Sequence, residues 1–187
     1  MRQNGKRYLQ RRHPLRRTLS ELGTDAINHH GRPLTEHLVG TYELLRAWGN
    51  PDFISLAGGF HSIYGTEEFA TKALPLSSRG TICALLGTQA ENLAYLFGIA
   101  DRRRLYHVPI SGPFHVVIPA SGHRIAIKSE TYAALLEIEA ANIVEQAANQ
   151  KGVPQSVVQF WLDAFESRRA FLSDGAVAAY RPALVGR

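Results

Sequence analysis

The chain has 187 residues, 45% of them hydrophobic, which is enough for one substantial core and too few for two ordinary domains. No stretch approaches the roughly 18 uninterrupted apolar residues of a membrane span, and no apolar leader segment follows the arginine-rich start, so a cytoplasmic protein without membrane association is expected. The formal net charge of +5 is concentrated, because Arg2, Lys6, Arg7, Arg11, Arg12, Arg16 and Arg17 all precede the first acidic residue, Glu21, and leave the remainder nearly neutral.

That basic arm, residues 1–17, has two readings. It suits a nucleic acid or another anionic partner held by non-specific electrostatics, or it is a solvated tail leading into the first helix. The expected organisation is this arm, a helical domain over 18–175, and an irregular tail over 176–187.

Punctuation by Gly, Pro, Ser and Asn divides the domain into about seven helical segments. The first is predicted from Pro14 to His29, with Leu15, Leu19 and Leu22 on one side, before Gly31-Arg32-Pro33 breaks the chain. Leu34, His37, Leu38, Thr41, Leu45 and Trp48 then recur at spacings of three and four, the mark of an amphipathic helix closed by Gly49. Asn50-Pro51 supplies a cap and a first-turn proline for a further helix, whose stripe is Phe53, Leu56, Ala57, Phe60, His61 and Tyr64. These two helices should form an antiparallel hairpin.

Thr81 to Leu86 reads as a short buried helix. Thr88-Gln89-Ala90-Glu91 looks like a capping box opening the next, which runs to about Ala100. At Phe114 to Pro119 and Arg124 to Ser129 the hydrophobic period changes to alternation, which predicts a β-hairpin around Ala120 to His123. A long helix from Glu130 to Gln150, capped by Ser129, and a last one from Pro154 to Leu172 complete a mainly α fold. The lone cysteine, Cys83, excludes an intramolecular disulfide, and its place in the apolar run argues against a nucleophile.

His37 and His61 carry the functional signal, since each replaces a leucine on an apolar helical stripe. An imidazole buried without a partner costs on the order of 1 to 3 kcal/mol, so each needs an acceptor or a metal, and two on adjacent helices suggest one shared site. His30, seven residues before His37, is a candidate third ligand that would leave His29 facing solvent; the alternative for His30 is a helix C-terminal histidine favoured by the macrodipole. On the long helix, Glu139 falls inside the stripe of Leu135, Leu136, Ala140 and Ile143, with Asn142 and Gln146 at its edge. Glu139 and Asn142 are candidates to complete the site, the alternative for Glu139 being a pair with an arginine. His107, His115 and His123 are expected at the surface.

The runs Leu34-Thr35-Glu36-His37-Leu38-Val39-Gly40-Thr41, Leu56-Ala57-Gly58-Gly59-Phe60-His61-Ser62-Ile63-Tyr64-Gly65-Thr66 and the later Ala141-Asn142 resemble the HD superfamily of metal-dependent phosphohydrolases, and most of all an uncharacterised bacterial branch of HD-like proteins. The resemblance covers roughly residues 28–146. It implies an HD-like helical bundle and an enzyme acting on a small polar or phosphorylated molecule with one divalent metal, Fe or Zn. The metal would lie on His37 and His61, with His30 and Asn142 as further ligands, and Ser62, Tyr64, Thr66 and Glu139 would carry catalytic roles. Two departures stand out: Ser62 and Asn142 occupy the places of the family's metal-binding aspartates. Three outcomes follow for the site: a single metal held by His37 and His61, with His30 and with Glu139 or Asn142; a metal-free pocket; or a degenerate module that binds a ligand or partner without catalysis. For an enzyme, the resemblance implies a hydrolase ahead of an iron oxygenase of HD-like type.

Overall fold

The computed structural model of the chain describes residues 14–150 and 152–186. Most of the basic arm, up to residue 13, lies outside the described residues. The fold is mainly α-helical, and no helix among the described residues is long and apolar enough to cross a membrane.

Helix α1 (Pro14–Glu21) buries Leu15 and Leu19 and is shorter than its pattern predicts. Gly23, at φ 83°, ends it; a 3-10 turn at Thr24–Ala26 follows, and then strands β1 (Asn28–His29) and β2 (Arg32–Pro33) pair antiparallel. His30 and Gly31, at φ 53° and 84°, make the two-residue turn with left-handed torsions that matches the twist of a tight hairpin. The predicted helix to His29 is therefore corrected to a hairpin, whose Gly31 amide donates to Asn28 Oδ1.

Helices α2 (Leu34–Ala47) and α3 (Asp52–Phe60) form the expected antiparallel pair. They approach closely because Gly58 has no side chain: a Cβ there would stand 2.1 Å from Leu45 Cδ1. Asn50 does not cap α3; its amide donates to Glu137, and Pro51 takes the cap position. Helix α4 (Arg79–Leu86) buries only Ile82, so the run around Cys83 is not the buried helix its composition suggests. The Thr88 capping box does not form either, because Gly87 is the cap of α5 (Thr88–Ile99) and Glu91 turns inward to Arg79.

The β-hairpin is where the alternation places it, with β3 (His115–Val117) antiparallel to β4 (Arg124–Ala126) and Val116 opposite Ile125. Helix α6 (Ser129–Asn149) is the spine of the molecule, buried along most of its length and packed against α2, α3 and α5. Ser129 is its first residue rather than its cap. Helix α7 (Gln155–Ser167) buries Val158, Trp161, Ala164 and Phe165.

The expected irregular tail is instead a helix, α8 (Asp174–Val185), packed on α6 and α7. Ser173 caps it by accepting from the Ala176 amide, and Ala176, Tyr180 and Leu184 form its buried stripe at i, i+4 and i+8. Gly175, which reads as a helix stop, is small because it lies against Trp48, whose Cβ would be 2.7 Å from an added methyl group.

Candidate metal and anion site

The α2–α3 crossing brings the two stripe histidines together. His37 is fully buried and His61 nearly so, and their Nε2 atoms lie 3.2 Å apart. The other nitrogen of each ring fixes its tautomer. His61 Nδ1 faces the Gly58 carbonyl at 2.6 Å, and His37 Nδ1 faces the Glu145 carboxylate at 2.5 Å. Both partners only accept, so each Nδ1 carries a hydrogen and donates it, and each neutral ring turns a lone pair toward the other. Burial keeps the rings neutral, lowering His37 to about 3 and His61 well below the ordinary histidine value.

Two lone pairs at this distance repel unless a cation lies between them. Two imidazole nitrogens sharing a tetrahedral metal at 2.0–2.1 Å would stand about 3.3 Å apart. The acceptors behind them also match a metal site, in which a ligating histidine hands its second N–H to a carboxylate or a carbonyl. Glu145 reaches His37 because Gly40, one helical turn along α2, leaves room: a Cβ there would meet the Glu145 side chain at 2.8 Å. Arg32 Nη2 donates to Glu145 Oε2 at 2.5 Å and Asn149 Nδ2 to Oε1 at 2.9 Å, so the carboxylate is clamped from three sides.

A cavity of about 150 Å³ opens beside His61. The β1–β2 hairpin reverses the expected roles of its two histidines: His29 is buried and stacked on His37 with ring centroids 4.2 Å apart, while His30 is exposed and contributes only to the cavity wall. Burial lowers His29 to about 3, and its Nδ1 has no hydrogen-bond partner. Ser62 and Asn142 line the same cavity, and Ser62 Oγ is likewise buried and unpartnered. Thr66 is also in the wall, its hydroxyl accepting from the Phe69 amide in a tight turn. Tyr64 points elsewhere: its hydroxyl donates to Glu91, in a separate cluster with Arg79, and burial raises it above the ordinary tyrosine value.

Glu139 sits behind the cavity wall, fully buried, 3.3 Å from Arg102 Nε and 3.5 Å from Asn142 Nδ2. Burial pushes its carboxyl up to about 7 against the pull of Arg102, and its Oε1 is unpartnered. Glu139 thus pairs with an arginine of the cavity wall and is not itself part of that wall.

Arg102, Glu145, Arg32 and Glu68 are the site residues that sequence reasoning misses. Arg102 opens the 3-10 turn Arg102–His107 and lies over the Phe97 ring at 4.8 Å. Its Nη2 donates to Glu68 Oε2 at 2.8 Å, and Glu68 Oε1 accepts from Arg103 Nε at 3.2 Å. Glu68 belongs to two walls, those of the small cavity and of a second groove of about 870 Å³ that reaches Arg103, Arg124, His107 and His115. A glycine inside an amphipathic helix, three residues after a stripe histidine, was the available signal for Glu145. Nothing in the Arg102-Arg103-Arg104 run distinguished the arginine that is buried.

His107 and His123 are exposed and His115 is half-buried. Among the described residues, no three His, Cys, Asp or Glu side chains converge as a metal cage; two imidazole nitrogens do. No curated protein and no solved structure matches the chain. Residues 18–102, which carry His29, His37, His61 and Glu68 and end on Arg102, are similar to a family described as a domain of unknown function, DUF6817.

Proposed function

We propose that the chain is a metal-dependent hydrolase of HD-like type, using one divalent ion, Fe or Zn, on a small phosphorylated or otherwise polar molecule. The observation that carries this reading is the pair of Nε2 lone pairs held 3.2 Å apart by acceptors that fix each Nδ1–H. The unpartnered Ser62 Oγ and His29 Nδ1 beside them are the kind of buried polar atoms that a bound ion and its waters satisfy. When bound, such an ion acts as a Lewis acid that polarises an acceptor oxygen and acidifies a water.

The protein's own groups divide the remaining work. His37 and His61 hold the ion, and Glu145 and the Gly58 carbonyl keep both rings in the binding tautomer. Asn142 and Ser62 are neutral, so the donor set leaves most of the ion's charge uncancelled. Arg102 supplies a nearly buried positive charge in the cavity wall for an anionic group, and Phe69 in the same wall limits water. Glu139, beside Arg102 and Asn142, is placed to exchange a proton with that wall. A single ion favours hydrolysis over the oxygenase alternative, whose relatives use two irons bridged by a carboxylate, because Ser62 stands at the bridging position.

The second reading, a module that binds its ligand without turnover, draws on the same two neutral residues, Ser62 and Asn142. Metal analysis of protein purified without chelator, alongside His37→Ala and His61→Ala, tests the site. Near-stoichiometric metal in the parent and little in either variant is expected, and a parent still metal-free after Fe or Zn reconstitution ends the metalloenzyme reading. Oxygen-independent release of phosphate from a phosphomonoester panel would support the hydrolase. Oxygen consumption would favour the oxygenase, and metal binding with neither would favour the binding module.

A further inference from the structure

The small histidine cavity and the large groove are separated by one ion-paired carboxylate. Glu68 projects from the tight turn that Thr66 and Phe69 close by backbone hydrogen bonds. Its two oxygens take one arginine each, Arg102 in the cavity wall and Arg103 in the groove wall. The three side chains differ sharply in exposure: Arg102 is 7% exposed, Glu68 44% and Arg103 57%. A guanidinium as buried as Arg102 needs partners, and Glu139 and Glu68 supply them.

An exposed carboxylate spread across two arginines gains little from its ion pairs, because solvent screens them and both side chains lose freedom. A phosphate monoester, with about two negative charges and three acceptor oxygens, makes stronger charge-assisted hydrogen bonds with the same two guanidinium groups. The groove behind Arg103 has the volume of a small-molecule site, and Arg124 in its lining has no ion pair among the described residues.

We infer that Arg102 and Arg103 form a binding subsite for the phosphate of a small phosphorylated molecule, and that Glu68 occupies this subsite as a displaceable stand-in. The inference rests on the hydrolase reading for its substrate but not for its chemistry. The body of the ligand lies in the large groove, and its phosphate crosses the Glu68 boundary toward His61. Binding swings Glu68 outward, which joins the two cavities.

The test is calorimetric titration of phenyl phosphate into the chelator-treated protein and into its Glu68→Gln, Arg103→Ala and Arg46→Ala variants. Glu68 and Arg103 are exposed enough for the variants to fold. Removing the competing carboxylate should tighten binding about threefold to fivefold, the scale of a lost surface ion pair. Removing Arg103 should weaken it about tenfold or more. Arg46 lies on α2, paired with Asp52 at the surface, and its loss should change nothing. Binding that is unchanged or weaker in Glu68→Gln, or unchanged in Arg103→Ala, overturns the subsite, as does an equal loss in Arg46→Ala. Repeating the titration on metal-loaded protein separates this proposal from the hydrolase reading. Phosphate binding with the expected variant pattern in a protein that takes up no metal keeps the subsite and ends the hydrolase. Binding only in metal-loaded protein, insensitive to Glu68 and Arg103, does the reverse.

Discussion

Gly40 and Glu145 show how a single missing methyl group sets the chemistry of a ring. The carboxylate of Glu145 reaches His37 through the space a Cβ would fill at 2.8 Å, so Gly40→Ala must push the acid aside or separate α2 from α6. Overpacking of this kind costs about 1 to 3 kcal/mol. The displaced carboxylate no longer holds the His37 tautomer, so Gly40→Ala is expected to lower both the denaturation midpoint and the metal content. A variant that loses stability but keeps its metal would show that the carboxylate does not position the ring. His115→Ala, at the far groove, should change neither stability nor metal content by a measurable amount.

Two turns test the elements. Gly31 has nothing within 4 Å of where a Cβ would stand, so Gly31→Ala meets only the left-handed torsion at φ 84°, a cost of about 1 kcal/mol. Gly58→Ala meets Leu45 at 2.1 Å across the α2–α3 crossing and should cost about 3 kcal/mol or more, with the histidine pair forced apart. Urea denaturation of the two variants should therefore differ by more than their identical chemistry suggests. The same contrast shows what periodicity can and cannot reveal. The α2–α3 pair and α6 are legible because each repeats its pattern over many residues, and the β3–β4 hairpin because alternation on both sides of one turn marks it. The β1–β2 hairpin was not, since two-residue strands carry no period and the leucine spacing of α1 runs on toward it. Helix α8 is hidden from the sequence because Gly175 answers to Trp48, a neighbour far away in sequence. The histidine pair stood out in the sequence because each replaced a leucine on an apolar stripe. The burial of His29 is not legible in the sequence, because it depends on the β1–β2 hairpin.

At the scale of the molecule, buried titratable groups set a pH profile. His29 and His37 fall to about 3, and His61 well below its ordinary 6.5, so the unfolded chain holds about three protons that the metal-free native state lacks between pH 4.5 and 6.5. Glu139, raised from 4.5 to about 7, works in the opposite sense: the native state keeps a proton there that the unfolded state releases. Stability from the histidines is complete above 6.5 and is lost as pH falls; stability from protonated Glu139 is complete below 4.5 and is lost as pH rises toward 7. The histidines win by a net two protons, so stability should rise by about 3 kcal/mol per pH unit over this window. In Glu139→Gln the opposing proton is gone, and the slope should steepen to about 4 kcal/mol per unit. Chemical denaturation of metal-free protein at pH 5 and pH 6 measures both slopes, and a flat profile would mean the rings titrate normally in the native state.

The separation of these partners along the chain gives the site a history. The His37–His61 contact closes 24 residues of chain, whereas the His37–Glu145 contact closes 108. Loop closure makes the second contact costlier by about 1.3 kcal/mol, and it waits on synthesis of α6. At translation rates of about 5 to 20 residues per second, the two imidazoles leave the ribosome seconds ahead of the acid that orients one of them. On the metal-binding reading proposed above, a nascent α2–α3 hairpin would offer both imidazoles to an ion before Glu145 exists to orient either ring, so whichever divalent ion the translating cell leaves free would have the first opportunity to select their tautomers.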